Sequence, residues 1–215
     1  MIPLVHDFDG EVVLVFGGGT VGARKARRFA REARVVVVSP VFADADFGPS
    51  ELVRAAPAPE DVPTWLAAAD PALVVAATDD GALNAAVERH AHAAGVLVNR
   101  ADRAGGREPG SVVVPATVED GPVSVAVTTG GTSPAVSRRL RRELESVIEG
   151  AGLVTSVVSE IRADLKGRDL DPSTRRDAAR TVADSSAVWA AARAGEERRV
   201  REEAERVVAA ALDGD

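Results

Sequence analysis

Three short stretches hold the residue types from which a reaction could be built. Val125–Pro134 reads Val-Ala-Val-Thr-Thr-Gly-Gly-Thr-Ser-Pro and runs into the arginine-rich segment Ala135–Glu149. A strand that ends in hydroxyl side chains, turns on two glycines and restarts as a helix presents backbone N–H groups. Ser133 can cap that helix and Pro134 suits its first turn. Together with Arg138, Arg139, Arg141 and Arg142 such an end suits an anion. Gly17-Gly18-Gly19-Thr20-Val21-Gly22 is a second anion cradle of the form G-x-G-x-x-G, after an apolar run and before a helical one. In that setting the first glycine permits a tight turn. The second lets a pyrophosphate approach the backbone, and the third lets helix and strand pack closely. The third stretch carries Asn99 and Asp102 at the end of a later apolar run. Two anion sites and a carboxylate suggest a dinucleotide, an acidic substrate and a group able to take a proton or hold a substrate N–H.

Other polar residues belong to the same class of position, the carboxyl ends of strands, where α/β folds bind ligands. They are Ser39, Pro40 and Val41 after the second apolar run, and Thr78 and Asp79 after the third. No acidic residue closes the second run to hold ribose hydroxyls, and no arginine stands there for a 2′-phosphate. NAD and NADP are therefore not separated by this rule. Asp79-Asp80-Gly81 can equally serve as a helix cap, and Asn84 can face either way. Burial, or substrate carboxylates nearby, would raise the pKa of Asp102 and make it a better base. His6, His90 and His92 are the remaining bases. His90 and His92 stand two apart and do not share a helix face. No histidine–carboxylate cluster points to a resident metal.

The elements that must position these groups alternate. Glu11–Phe16, Arg34–Ser39, Leu73–Thr78 and Val96–Asn99 read as buried strands. Thr20–Ala33, Glu60–Asp70 and Leu83–Ala94 read as helices. The alternation predicts an α/β fold: a Rossmann-type parallel sheet with helices on both faces. Arg103–Gly110 reads as a loop. Ser111–Pro115 and Pro122–Thr128 read as two strands joined by Glu119-Asp120-Gly121. Helices are expected over Pro134–Glu149, Leu153–Leu165, Ser173–Ala194 and Glu196–Leu212. The organisation expected is a dinucleotide-binding domain over 1–112, a β-containing dimerisation segment with the arginine-rich helix over 113–150, and a helical domain over 151–215.

Composition bounds the function further. A net charge of −7 argues against general nucleic-acid binding, which draws on basic contacts to phosphate. The absence of cysteine removes thiolate catalysis, zinc–cysteine sites and disulfides, and fits a cytoplasmic protein. Residues 1–10 carry no basic n-region, and no apolar run reaches the roughly 20 residues of a membrane span. Aromatics are only 3%, so the core must be Val, Ala and Leu.

Taken in order, Ile2-Pro3-Leu4 with Asp9-Gly10, Gly17–Val21 with Ala23-Arg24-Lys25-Ala26, Ala76–Asp80 with Leu83-Asn84, Val98-Asn99 with Asp102, and Val127–Pro134 form one pattern. The chain resembles the precorrin-2 dehydrogenase / sirohydrochlorin ferrochelatase family, the N-terminal module of siroheme synthase. The likeness is carried by residues 1 to about 150, and only helical character agrees beyond that. It implies NAD-dependent oxidation of precorrin-2 to sirohydrochlorin by a homodimer. Asp102 is then the catalytic aspartate. Gly17, Gly18, Gly19, Thr20, Val21, Ser39, Pro40, Val41, Thr78, Asp79 and Asn99 line the cofactor. Thr129, Gly130, Gly131, Thr132, Ser133 and Arg138 face the polycarboxylate substrate. Without a methyltransferase domain after it, the chain reads as the stand-alone form. Some stand-alone members also insert iron or cobalt, so a bifunctional enzyme is the alternative. A nucleotide-sensing Rossmann module without turnover is the reading from another class, but it gives no reason for Thr129–Pro134.

Overall fold

The computed structural model describes residues 3–103 and 110–213. The chain divides into two compact units, Met1–Val114 with Gly130–Thr132, and Pro115–Thr129 with Ser133–Asp215. Most of the expected Arg103–Gly110 loop (104–109) lies outside the described residues.

In the first unit the strands are β1 (Val12–Phe16), β2 (Arg34–Ser39), β3 (Glu51–Arg54), β4 (Leu73–Ala76) and β5 (Leu97–Arg100). They form one parallel sheet in the order β3-β2-β1-β4-β5. The helices are α1 (Thr20–Phe29), α2 (Val62–Ala69), which follows a short 3₁₀ turn at Pro59–Asp61, and α3 (Gly81–Ala93). Successive side chains of a strand point to opposite faces, and both faces here are covered. Val13, Val15, Val35, Val37 and Val75 pack on the α1 side with Ala23 and Ala26. Leu14, Phe16, Val36, Val38 and Val74 pack on the other side with α2 and α3, through Leu66, Leu83 and Val87. That two-sided burial is why the strands read as unbroken valine runs rather than alternating ones. The expected Rossmann-type sheet is therefore present.

The sequence reading missed β3. It is an edge strand of four residues with charged ends, and it lacks an apolar signature because one side has no neighbour. Its register is fixed by pairing of Val36 with Glu51 and of Ser39 with Arg54, and by an Arg34–Glu51 ion pair of 2.9 Å.

In the second unit β6 (Ala116–Asp120) and β7 (Val123–Val127) make an antiparallel hairpin, with Gly121 and Pro122 as its turn. The expectation that Ser111–Pro115 supplies the first strand is corrected. The two-residue turn counts the ladder outward from Asp120–Val123 to Ala116–Val127, and Pro115, without an N–H, lies just beyond it. Residues 111–112 run beside β5 instead: Ser111 bridges Val98, and the Val112 N–H donates to the Val98 carbonyl at 2.8 Å.

The helices of this unit are α4 (Pro134–Ile148), α5 (Ala151–Lys166), α6 (Pro172–Ala183), α7 (Ser186–Arg193) and α8 (Glu197–Asp213). The expected single helix Ser173–Ala194 is two, because Ser185 caps a new start by accepting from the Val188 N–H at 3.4 Å. Val154, Val157, Leu165, Val182, Val188, Val200 and Val208 form the core of α5–α8. A smaller core of Val118, Ile148 and Ala151 joins the hairpin to α4 and α5.

Candidate active site

The glycine loop leaves β1 and opens α1. Gly17 sits at φ +119°, and a Cβ there would lie 2.3 Å from the Ala77 carbonyl oxygen. A Cβ on Gly18 would meet the Val41 carbonyl oxygen at 2.4 Å, and one on Gly22 the Gly17 oxygen at 1.9 Å. Three glycines thus let loop, helix and the β2–β3 connection close on one another. Gly19 differs: nothing lies within 4 Å of its Cβ position, and as the N-cap of α1 it offers no side chain to satisfy the first-turn N–H groups. The backbone beside Gly19 is thus open at the positive end of a helix dipole, the kind of position that suits an anion. Thr20 and Val21 form the first turn of α1.

Beyond β2, the buried Ser39 donates its hydroxyl hydrogen to the Val41 carbonyl at 2.7 Å, so toward a ribose it can only accept. A cation does reach this end. Arg54, the partner of Ser39 across the sheet, donates to the Pro40 carbonyl at 3.0 Å and lies 5.6 Å over the Phe42 ring. It escaped the sequence reading because it belongs to β3.

At the end of β4, Thr78 is fixed by Asn84. The Thr78 N–H and hydroxyl donate to Asn84 Oδ1 at 3.2 and 2.7 Å, and Asn84 Nδ2 donates to the Thr78 carbonyl at 2.8 Å. Asn84 therefore faces inward. Asp80 is the helix cap, accepting from the Ala82 and Leu83 N–H groups at 2.8 and 3.1 Å, which leaves Asp79 exposed at the strand end. Asn99 is buried on β5. Its Nδ2 donates to the Val112 carbonyl at 2.8 Å, while its Oδ1 is buried without a partner among the described residues. An orphaned acceptor of that kind fits a donor on a bound group.

Asp102 is held by the arginine two residues before it. Arg100 grips both of its oxygens, Nε to Oδ1 at 2.9 Å and Nη2 to Oδ2 at 2.7 Å. The third guanidinium nitrogen, Nη1, reaches Glu88 Oε2 at 2.7 Å. Ser111 donates to the other Glu88 oxygen at 3.3 Å, and Arg103 approaches Glu88 at 3.5 Å. The Arg100 side chain is 3% exposed and that of Glu88 9%, whereas Asp102 keeps 27%.

The expected upward shift of the Asp102 pKa is corrected. The Arg100 hydrogen bonds, and behind them its charge, hold the carboxyl below the usual carboxylate range, more than offsetting the desolvation that pushes it up, with Asn84 adding a smaller pull downward. The same partners raise Arg100, the Asp102 hydrogen bond most of all. Arg100 was legible as a charge at the end of a strand buried on both faces. Glu88 was legible as one turn beyond Asn84 on the same face of α3.

In the second unit Ser133 caps α4, accepting from the Val136 N–H at 3.5 Å, with Pro134 in the first turn. The Thr129 hydroxyl accepts from the Ser133 N–H at 3.2 Å and lies 3.2 Å from the Ser137 hydroxyl, so it braces the turn. Gly130 and Gly131 have φ of +63° and +85°, the left-handed region that favours glycine. Thr132 is exposed. Arg139 and Arg141 are paired with Glu143 and Glu145 at 2.7 and 2.6 Å, as a solvated helix face would be. Arg138 and Arg142 are exposed and form no ion pair among the described residues. Among the described residues no group of three or more His, Cys, Asp or Glu side chains could hold a metal, and no helix is long and apolar enough to cross a membrane.

The family model NAD_binding_7, described as NAD(P)-binding, matches residues 4–116, and the model described as sirohaem biosynthesis protein central matches residues 120–146. The chain belongs to the NAD(P)-binding family of siroheme synthase N-terminal modules and precorrin-2 dehydrogenases. It is similar to the siroheme synthases of Stutzerimonas stutzeri, 38% identical over 180 residues, and Azotobacter vinelandii, 37% identical over 180 residues. These matches cover 81% of this chain but only 37% of either siroheme synthase. A solved precorrin-2 dehydrogenase, SirC, superposes with a TM-score of 0.68 at 25% identity, covering 96% of this chain and all (100%) of that one. Membership in this family gives the chain its ligand class, a nicotinamide dinucleotide.

Proposed function

We propose that this family member oxidises precorrin-2 to sirohydrochlorin, with NAD⁺ as acceptor. The observation that carries the reading is the arrangement at the carboxyl ends of three adjacent strands. The open glycine cradle follows β1, the fixed Thr78 follows β4, and Asp102 follows β5. At the usual strand spacing the last lies roughly 10 Å across the sheet from the first. A dinucleotide whose pyrophosphate rests on Gly17–Val21, with its adenosine toward Ser39, Pro40 and Val41, carries its nicotinamide toward Thr78, Asp79, Asn99 and Asp102. Bound NAD⁺ supplies a hydride acceptor. The residues supply a fixed seat, an acceptor on Asn99 that has no partner among the described residues, and an ionised carboxylate for substrate.

Loss of a hydride from a carbon of the macrocycle leaves a delocalised cation, and loss of an N–H proton to solvent then gives the more conjugated product. Orientation is therefore the main demand on the protein. NAD⁺ as the acceptor rests on the family resemblance; Arg54 spends one guanidinium nitrogen on the Pro40 carbonyl and keeps further donors at this end. The substrate is a polycarboxylate, and the residues assigned to its carboxylates are Thr129, Gly130, Gly131, Thr132, Ser133 and Arg138. A homodimer through α4 completes the reading. Val136, Leu140 and Val147 of that helix are exposed apolar residues near helical spacing. A nicotinamide-linked biosynthetic step in a chain without cysteine fits the cytoplasm.

The test is purified protein with verified precorrin-2 and NAD⁺, followed by NADH and macrocycle absorbance. Turnover that falls steeply in Asp102→Ala supports the reading. No NADH above the enzyme-free control refutes it.

A further inference from the structure

Asp102 has a buried support that an aspartate acting merely as an exposed base does not need. Arg100 occupies the last position of β5, 3% exposed, with all three guanidinium nitrogens committed to carboxylates. Glu88, on α3, anchors the far side of the guanidinium and is itself held by Ser111. A planar fork bound at two points to one carboxylate and at a third to another has little rotational freedom. A lysine could not reproduce it.

The charge balance is also specific. Two carboxylates and one guanidinium share the cluster, Arg100 and Glu88 buried and Asp102 partly exposed, and Arg103, 41% exposed at its side chain, is the second cation beside Glu88. Asn84 of α3 adds an amide near Asp102. Among the described residues, these are the charged and polar groups that β5, α3 and Arg103 bring to the Asp102 carboxyl.

We propose that Arg100, braced by Glu88, is the positioning residue of the dehydrogenation, holding Asp102 as a fixed, ionised hydrogen-bond acceptor for a substrate N–H and not as a base that stores the proton. This rests on the precorrin-2 reading above and decides the role of its carboxylate. When the macrocycle C–H bond breaks and its electron pair leaves to NAD⁺, the cation formed faces an anion already in place. Reorganisation at that moment is small. The N–H proton later leaves to solvent. A carboxylate gripped at both oxygens is a poor proton store, because protonation would break an ion pair in a partly dry site.

The test uses the full chain with Arg100→Gln, Arg100→Lys, Glu88→Gln and Asp102→Asn. kcat and KM for precorrin-2 are measured against pH with NAD⁺. The Asp102 carboxyl is followed separately by ¹³C NMR titration of the cofactor-free protein, assigned by its loss in Asp102→Asn. In the wild type the Asp102 resonance stays unprotonated through the ordinary carboxylate range, and kcat/KM shows no acid limb from it. Arg100→Gln moves the titration upward and brings in an acid limb. Arg100→Lys keeps Asp102 ionised but lowers kcat by about tenfold to a hundredfold with KM little changed. Glu88→Gln, which spares the two-point grip, gives a smaller loss.

A folded Arg100→Gln with wild-type kcat and pH profile overturns the proposal. If that variant does not fold, a folded Arg100→Lys with wild-type kcat overturns it equally. A wild-type Asp102 that titrates at the ordinary value overturns it whatever the activity. Absence of NADH from wild-type protein sinks the precorrin-2 reading instead, and the NMR titration still judges the grip.

Discussion

Replacing one glycine of the cradle at a time separates its two jobs, packing and access. In Gly22→Ala the new Cβ would lie 1.9 Å from the Gly17 carbonyl oxygen, where an ordinary contact begins near 3.4 Å. Loop and helix must part by about 1.5 Å, and the atom met is backbone, which has no rotamer through which to yield. Overpacking of this kind costs about 1–3 kcal/mol. For a chain of this size that is a melting-temperature drop of roughly 2–12 °C. Displacement of the α1 N-terminus also weakens the dinucleotide.

In Gly19→Ala nothing lies within 4 Å of the new methyl group, and the backbone, at φ −77° and ψ −179°, accepts any residue. Stability should change by less than about 1 kcal/mol, since a weaker N-cap is offset by a less flexible unfolded chain. The methyl group nevertheless occupies the space left for a pyrophosphate. NADH affinity should then fall at least tenfold, about 1.4 kcal/mol. Thermal melting and titration of NADH fluorescence read the two effects. Wild-type NADH affinity in Gly19→Ala, or an unchanged melting temperature in Gly22→Ala, would refute the assignment of open and closed sides to this loop.

Three further outcomes follow from buried contacts and exposed faces. Asn84→Ala removes three hydrogen bonds to Thr78 and leaves the inward-facing Thr78 N–H without its partner, so stability should fall by about 2–3 kcal/mol in denaturant titration. NADH affinity should fall with it. The Asp102 carboxyl is held below its usual range by Arg100, so its stabilisation is present above the unfolded carboxylate pKa of about 3.9 and fades as pH drops through the lower folded value. Wild type should therefore exceed Asp102→Asn by about 1–3 kcal/mol at neutral pH, with the gap closing only under acid. A gap that widens toward low pH contradicts that sign. Leu140→Asp on the exposed face of α4 should convert the proposed dimer to monomer in light scattering without lowering secondary structure, and a wild type that is already monomeric excludes the contact.

Much of the first unit could be read from the chain because each signal was local. Strands buried on both faces need unbroken apolar runs, a helix that receives a pyrophosphate needs glycines at fixed offsets, and Ser133-Pro134 carries its own cap. The sequence by itself thus determined the strand–helix alternation of a Rossmann-type parallel sheet, the glycine turn between β1 and α1 and the place of Asp102 just after β5. What it could not determine depends on partners distant along the chain. β3 is defined by pairing with β2, not by its own pattern, and only that pairing brings Arg54 to Pro40. The hairpin register is set by the turn at Gly121-Pro122, so valines 112–114, strand-like in isolation, fall outside the ladder. The ionisation of Asp102 is set by Arg100 and by Glu88, which lies 12 residues earlier than Arg100. A pKa is a difference in solvation and Coulomb energy between two charge states, and that difference exists only once the fold has placed the opposite charge and removed the water.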